Sequence, residues 1–184
     1  MAYGTYCTQI DQNGSGRERC GGACLASVCL DDGWQSDPWA LTVQISDQCG
    51  ITDRGCTSDE LLRCAAAYGL DGWKWFKWQE MLDGLHAGHA VLVLCDNKFL
   101  EPRSYPMGYG WEAHHWVRCV VASDRDDMVY MYDPLTYQLQ RDGTYYQGPV
   151  TSSFDGLNGA ISATPYPEAG IILSSRKGTN LNAR

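Results

Sequence analysis

The chain has 184 residues, a formal net charge of −8 and an apolar fraction of 44%. That is long enough for one domain with a proper core, and apolar enough for a globular rather than a disordered chain. The acidic balance argues against a nucleic-acid partner, whose phosphates need clustered Lys and Arg, and against an anionic membrane surface.

No apolar run approaches the roughly 18 residues of a membrane span, so none is predicted. The start, Met1-Ala2-Tyr3-Gly4-Thr5-Tyr6, lacks a basic region followed by an apolar core, so no signal peptide is expected. Seven Trp and eleven Tyr point to a well-buried core or an aromatic-lined groove. The nine cysteines are an odd number, and several sit inside apolar patterns, which favours free thiols in a reducing compartment over a disulfide framework. Cys49, Cys56 and Cys64 have poor zinc-site spacing with no C-x-x-C pair, so no metal is expected, and no cofactor is implied.

In chain order, Gln9-Ile10-Asp11-Gln12 reads as a short extended piece before the flexible run Asn13 to Arg19. From Ala23 to Leu30 nearly every residue is apolar or small, which predicts a buried helix with Cys20 in its first turn. Asp31-Asp32-Gly33 closes it. Ser36-Asp37-Pro38 starts a second helix that ends near Gly50. Thr57 and Glu60 form a capping box for a third, Leu61 to Tyr68, stopped by Gly69. Trp73 to Trp78 is a short strand or a loop, and Gln79 to Leu85 one more short helix ended by Gly88.

The texture then changes. Ala90 to Cys95, His115 to Val121 and Met128 to Tyr132 are apolar runs of strand length, the last two forming a hairpin around Asp124 to Asp127. Tyr137 to Gln140 and Ala169 to Leu173 are further candidate strands, with Gly143 to Pro167 mostly loop. The expected architecture is a single α+β domain over 1–174, helices first and antiparallel strands after, with a polar tail at 175–184.

Chemistry enters at Cys20. A thiol at a helix N-terminus meets unpartnered amides and the positive end of the dipole, which favour the thiolate. A nucleophilic cysteine needs a base, and the base needs an orienting group. His115 opens one strand and Asp133 closes its hairpin neighbour, so antiparallel pairing brings them to one sheet end. A helix packed on that sheet would present Cys20 there. The Cys20 amide is one donor for an oxyanion, and a Gln from the preceding segment would be another. Cys24, one turn on, is expected in the core. His114 should point to the opposite strand face from His115, and His86 and His89 should be surface or cap residues. The tryptophans at 73, 75, 78, 111 and 116 are expected mainly in the core, with Trp111 and Trp116 placed to line a groove.

Cys20-Gly21 opening a small-residue helix, a strand beginning His115-Trp116 and a strand ending Asp133-Pro134 together resemble the bacteriocin-processing (C39-like) branch of papain-like cysteine peptidases. Gly88-His89-Ala90-Val91-Leu92-Val93 resembles that family's strand before the histidine loop, and the likeness spans roughly residues 7 to 135. It implies a papain-like fold with N-terminal helices on an antiparallel sheet, and a Cys20, His115, Asp133 triad. It implies Gln9 as the second oxyanion donor, with Gln12 the alternative. The departures are Gly22, where many relatives carry Pro or Ala, and a longer segment from Asn97 to His114. No transporter span accompanies the domain, so peptide export has no support.

The expected activity is hydrolysis of a peptide or isopeptide bond. A phage or bacterial cell-wall endopeptidase acting on a peptidoglycan-like substrate, cytoplasmic or virion-associated, is the special case suggested by the resemblance alone. The alternatives are a papain-like acyltransferase or deamidase using the same triad, and a non-catalytic module assembled into a larger, for instance phage, particle.

Overall fold

The computed structural model describes residues 5–7, 19–51, 55–100, 114–134 and 150–175. Five helices, α1 (Cys20–Asp31), α2 (Pro38–Gln48), α3 (Ser58–Ala67), α4 (Trp78–His86) and α5 (Phe154–Ser162), surround one sheet. Its strands are β1 (Leu70–Trp75), β2 (Ala90–Asp96), β3 (His114–Ser123), β4 (Met128–Tyr132), β5 (Val150–Ser153) and β6 (Gly170–Ser175). They pair antiparallel throughout in the order β1-β6-β2-β3-β4-β5.

The two-residue period of a strand splits the core in two. Along central β2, Ala90, Leu92 and Leu94 join one apolar cluster with α1, α2 and α3, while Val91, Val93 and Cys95 join a second with α4 and α5. A strand buried on both faces reads as a continuous apolar run, which is why Ala90 to Cys95 shows no alternation. α1 is likewise buried from Cys20 to Cys29, packed between α2 and β3.

Local chemistry sets the helix ends. Asp37 Oδ1 accepts from the Ala40 amide at 2.9 Å ahead of Pro38, and Thr57 and Glu60 close their box at 3.3 Å and 2.8 Å. Gly50, Gly69 and Gly88 terminate α2, α3 and α4 with φ of +63°, +81° and +79°, the region a side chain disfavours.

Three expectations need correction. The stretch from Gly143 to Pro167 is not mostly loop, because β5 and α5 lie within it. Ser153 Oγ caps α5 by accepting from the Gly156 amide at 3.0 Å, and Leu157, Ala160 and Ile161 bury one face. The abundant Gly, Ser and Thr masked that spacing. Second, the cysteines are not all free, since Cys49 and Cys64 form a disulfide. Cys49 caps the end of α2 and Cys64 sits on the buried side of α3, so helix packing brings their Cα atoms to 5.6 Å. Third, the last strand runs to Ser175, one residue past the expected domain edge. Trp73 to Trp78 resolves into the end of β1 and the start of α4. The strand expected at Tyr137 to Gln140 lies outside the described residues, as do Trp111 and nearly all of the tail.

Candidate active site

β3 and β4 pair with Arg118 opposite Tyr132, after a bulge between Cys119 and Val121. The register carries Asp133 past the last strand pair toward His115. His115 Nε2 donates to Asp133 Oδ1 at 2.8 Å, with the two side chains 4% and 1% exposed. At that burial water offers no competing partner, so the contact is strong and oriented. The expected neighbour His114 is exposed and stacks edge-on to Tyr166, so alternation along β3 separates the two histidines.

With Nε2 committed to Asp133, the other ring nitrogen remains for Cys20. The Cys20 side chain acts on the ring through a hydrogen bond and through its charge. Burial disfavours the charged imidazolium, but the Asp133 carboxylate and then Cys20 outweigh it and hold the His115 ring up at about 10. His115, at the start of β3, and Asp133, just past the end of β4, are thus brought together, and Cys20, in the first turn of α1, is among the groups that act on the ring.

Cys20 is the first residue of α1, and the Arg19 side chain gives no capping hydrogen bond there. Arg19 turns away instead, over the Trp39 ring at 5.7 Å and 3.9 Å from Asp47 Oδ1. Helices α2, α3 and α5 begin with a side-chain acceptor for a first-turn amide, from Asp37, Thr57 and Ser153, whereas the residue before α4, Lys77, like Arg19 before α1, gives none. A helix start without such a cap presents amide donors to an incoming anion. Gln9 and Gln12 lie outside the described residues.

Two other thiols near the site, Cys24 and Cys95, are inert by environment. Burial, then the charge of Cys20, pushes the Cys24 thiol up, and its Sγ donates to the Trp116 carbonyl at 3.4 Å, as expected for a core residue. Cys95 is raised by burial and then by Asp133, and donates to the His115 carbonyl at 3.4 Å. Trp116 is buried at 1% exposure, its indole Nε1 donating to the Cys56 carbonyl at 3.1 Å, so it is a support rather than a groove wall. Trp75 is buried too, whereas Trp73 is 45% exposed, against the core expectation for it. His86 lies in the last turn of α4 and meets Asp124 at 3.5 Å, and His89 lies against Trp73.

Sequence reasoning missed the group that anchors α1. Arg118 Nη1 reaches Asp31 Oδ2 and Ser27 Oγ, each at 2.6 Å. Asp31 Oδ1 accepts from the Thr5 amide at 2.8 Å, and Ser27 Oγ also bonds the Thr5 carbonyl. One buried guanidinium therefore ties the second half of α1 to β3 and to the segment 5–7. An Arg inside the apolar run Trp116 to Val121 was the available signal, since such a charge stays buried only when paired. Among the described residues no group of three or more His, Cys, Asp or Glu is placed to hold a metal ion, and no helix is long and apolar enough to cross a membrane.

The fold matches solved peptidase domains. A C39-like peptidase structure from Bacillus anthracis aligns with a TM-score of 0.65 at 13% identity, covering 93% of this chain and 94% of that one. The peptidase domain of Streptococcus ComA, a bi-functional ABC transporter involved in quorum sensing, aligns at 0.60 and 14% identity, covering 92% and 96%. The corresponding domain of Streptococcus mutans ComA aligns at 0.51 and 10%, covering 92% and 97%. No protein-family model matches the sequence, and no curated protein does. The chain has the papain-like α+β fold in its C39 form, helices packed on a six-stranded antiparallel sheet.

Proposed function

We propose that the protein is a cysteine peptidase or amidase, with Cys20 as nucleophile, His115 as base and acid, and Asp133 as the residue that orients His115. The observation that carries this is the buried His115 Nε2 to Asp133 Oδ1 bond, which leaves the other ring nitrogen free to serve Cys20. The likeness of the fold to peptidase domains supports the same reading.

In the reaction the Cys20 sulfur attacks the carbonyl carbon and the oxygen takes up negative charge. The Cys20 amide, at the start of α1, receives that charge, and the second donor is the Gln9, or alternatively the Gln12, that the resemblance implies. His115 delivers its proton to the leaving amine, and the thioester on Cys20 remains. Water, activated by His115, then releases the acid and restores the thiol. Asp133 stays ionised and holds the ring in place.

The substrate is a peptide or isopeptide, and a peptidoglycan-like bridge is the special case suited to a cell-wall endopeptidase. The test is product analysis on peptide, isopeptide and peptidoglycan-fragment panels, with mass spectrometry of the trapped thioester. Wild type is expected to cleave one class and Cys20→Ala none, with an unchanged circular-dichroism spectrum. Cleavage by Cys20→Ala would remove the mechanism. Amine transfer without hydrolysis would make the enzyme a transferase.

A further inference from the structure

Seven of the nine cysteines are free thiols, and Cys56 alone among those seven is not fully buried. It sits against the first turn of α1. A β-carbon at Gly21 would collide with Cys56 Sγ and would lie 3.3 Å from Trp116 Cδ1. The Trp116 indole holds the Cys56 carbonyl at 3.1 Å, which fixes this thiol over the residue next to Cys20. A disulfide needs Cα atoms within about 7 Å, and the Cys56 sulfur occupies the space a side chain would take at Gly21, the residue next to Cys20. The other nearby thiols are engaged elsewhere, Cys24 with the Trp116 carbonyl and Cys95 with the His115 carbonyl.

We propose that Cys56 is the resolving thiol for Cys20, so that the two form a reversible disulfide, a modification site beside the nucleophile that silences it under oxidation. The proposal rests on the reading of Cys20 as the reactive thiol. A hydroperoxide is the oxidant. The Cys20 thiolate attacks the peroxide oxygen, the O–O bond breaks, and Cys20 becomes a sulfenic acid as water leaves. Cys56 sulfur, giving up its proton, then attacks the Cys20 sulfur. The S–S bond forms, the S–O bond breaks, and a second water departs. Two thiols and one hydrogen peroxide become one disulfide and two waters, and a dithiol reductant reverses the step. Burial, then the charge of Cys20, keeps the Cys56 thiol protonated in the resting protein, and oxidation of Cys20 removes the second of those influences.

The experiment treats the full chain with hydrogen peroxide and maps disulfides by non-reducing peptide mass spectrometry, before and after dithiothreitol. The Cys49–Cys64 bridge is scored separately as an internal reference. In wild type a Cys20–Cys56 cross-link is expected, with loss of Cys20 alkylation that the dithiol restores in full. In Cys56→Ser the cross-link is absent and Cys20 proceeds to sulfinic acid, which the dithiol does not reverse. Absence of the cross-link in wild type, a link from Cys20 to any other cysteine, or full recovery in Cys56→Ser would each overturn the proposal. The wild-type map needs no variant to fold. If the peptidase reading alone is wrong, untreated protein cleaves nothing while the cross-link still forms, so the two failures are distinguishable.

Discussion

At the scale of single residues, the proposed chemistry turns on how His115 is held. Burial opposes its charge, yet Asp133 and Cys20 raise the ring from 6.5 in the unfolded chain to about 10. A raised folded value means the stabilisation is fully present below 6.5 and is lost as pH rises toward 10. The stability gap between wild type and Asp133→Asn, measured by urea unfolding, should therefore narrow across that range. A gap that stays constant would contradict the assigned pairing. Asp133→Asn should also pull the alkaline limb of the activity profile downward, because the ring then lacks the carboxylate that keeps it protonated. His115→Ala should cost turnover roughly 10²- to 10⁴-fold, the usual worth of a positioned acid–base group. Cys20, His115 and Asp133 drew attention in the sequence because each stands at the boundary of an element, and the places of those boundaries held in the fold. Arg118 was not singled out, although it interrupts one as well. Its meaning depends on Asp31 and Ser27, which lie almost half the chain away in sequence.

At the scale of elements, α1 is placed by contacts that leave little room. A β-carbon at Gly22 would collide with Ser46 Oγ on α2, so these two helices approach closely only because residue 22 is glycine. Gly22→Ala should destabilise by about 1–3 kcal/mol, the usual cost of overpacking. Ser46→Ala in the same chain should recover part of that loss, read as a coupling in a double-mutant cycle. Purely additive effects would show that the crowding lies elsewhere. The far half of α1 depends on Arg118, and Arg118→Met should cost about 3–5 kcal/mol by leaving Asp31 without its buried partner. A change in thermal midpoint close to zero would contradict that role. Strands with apolar runs and helices with capping signals were readable one at a time. α5 was not, because its apolar spacing is diluted by Gly156 and Gly159 and becomes evident only against the core it faces.

At the scale of the whole molecule, the sheet divides two cores, and the site forms at one end where α1 meets the β3–β4 hairpin. The α+β class followed from the change of texture near residue 90, but the order of elements did so only in part, since β1 precedes α4 and α5 precedes β6. The strand order did not, because β6 inserts between β1 and β2 by pairings distant in sequence. Nor did the Cys49–Cys64 bridge, whose spacing resembles no motif and whose geometry comes from helix packing. The bridge spans a separation of 15 residues. Replacing both cysteines by Ala should lower stability by about 3 kcal/mol, as loop closure of that length suggests. The central claim is that the sulfur at the start of α1 is activated by the ring at the start of β3. Iodoacetamide labelling at neutral pH, resolved by peptide mass spectrometry and compared between wild type and His115→Ala, tests it most directly. Fast labelling of Cys20 over Cys24 and Cys95, slowed sharply by His115→Ala, is the predicted result. Equal labelling of Cys20 in both proteins would contradict it.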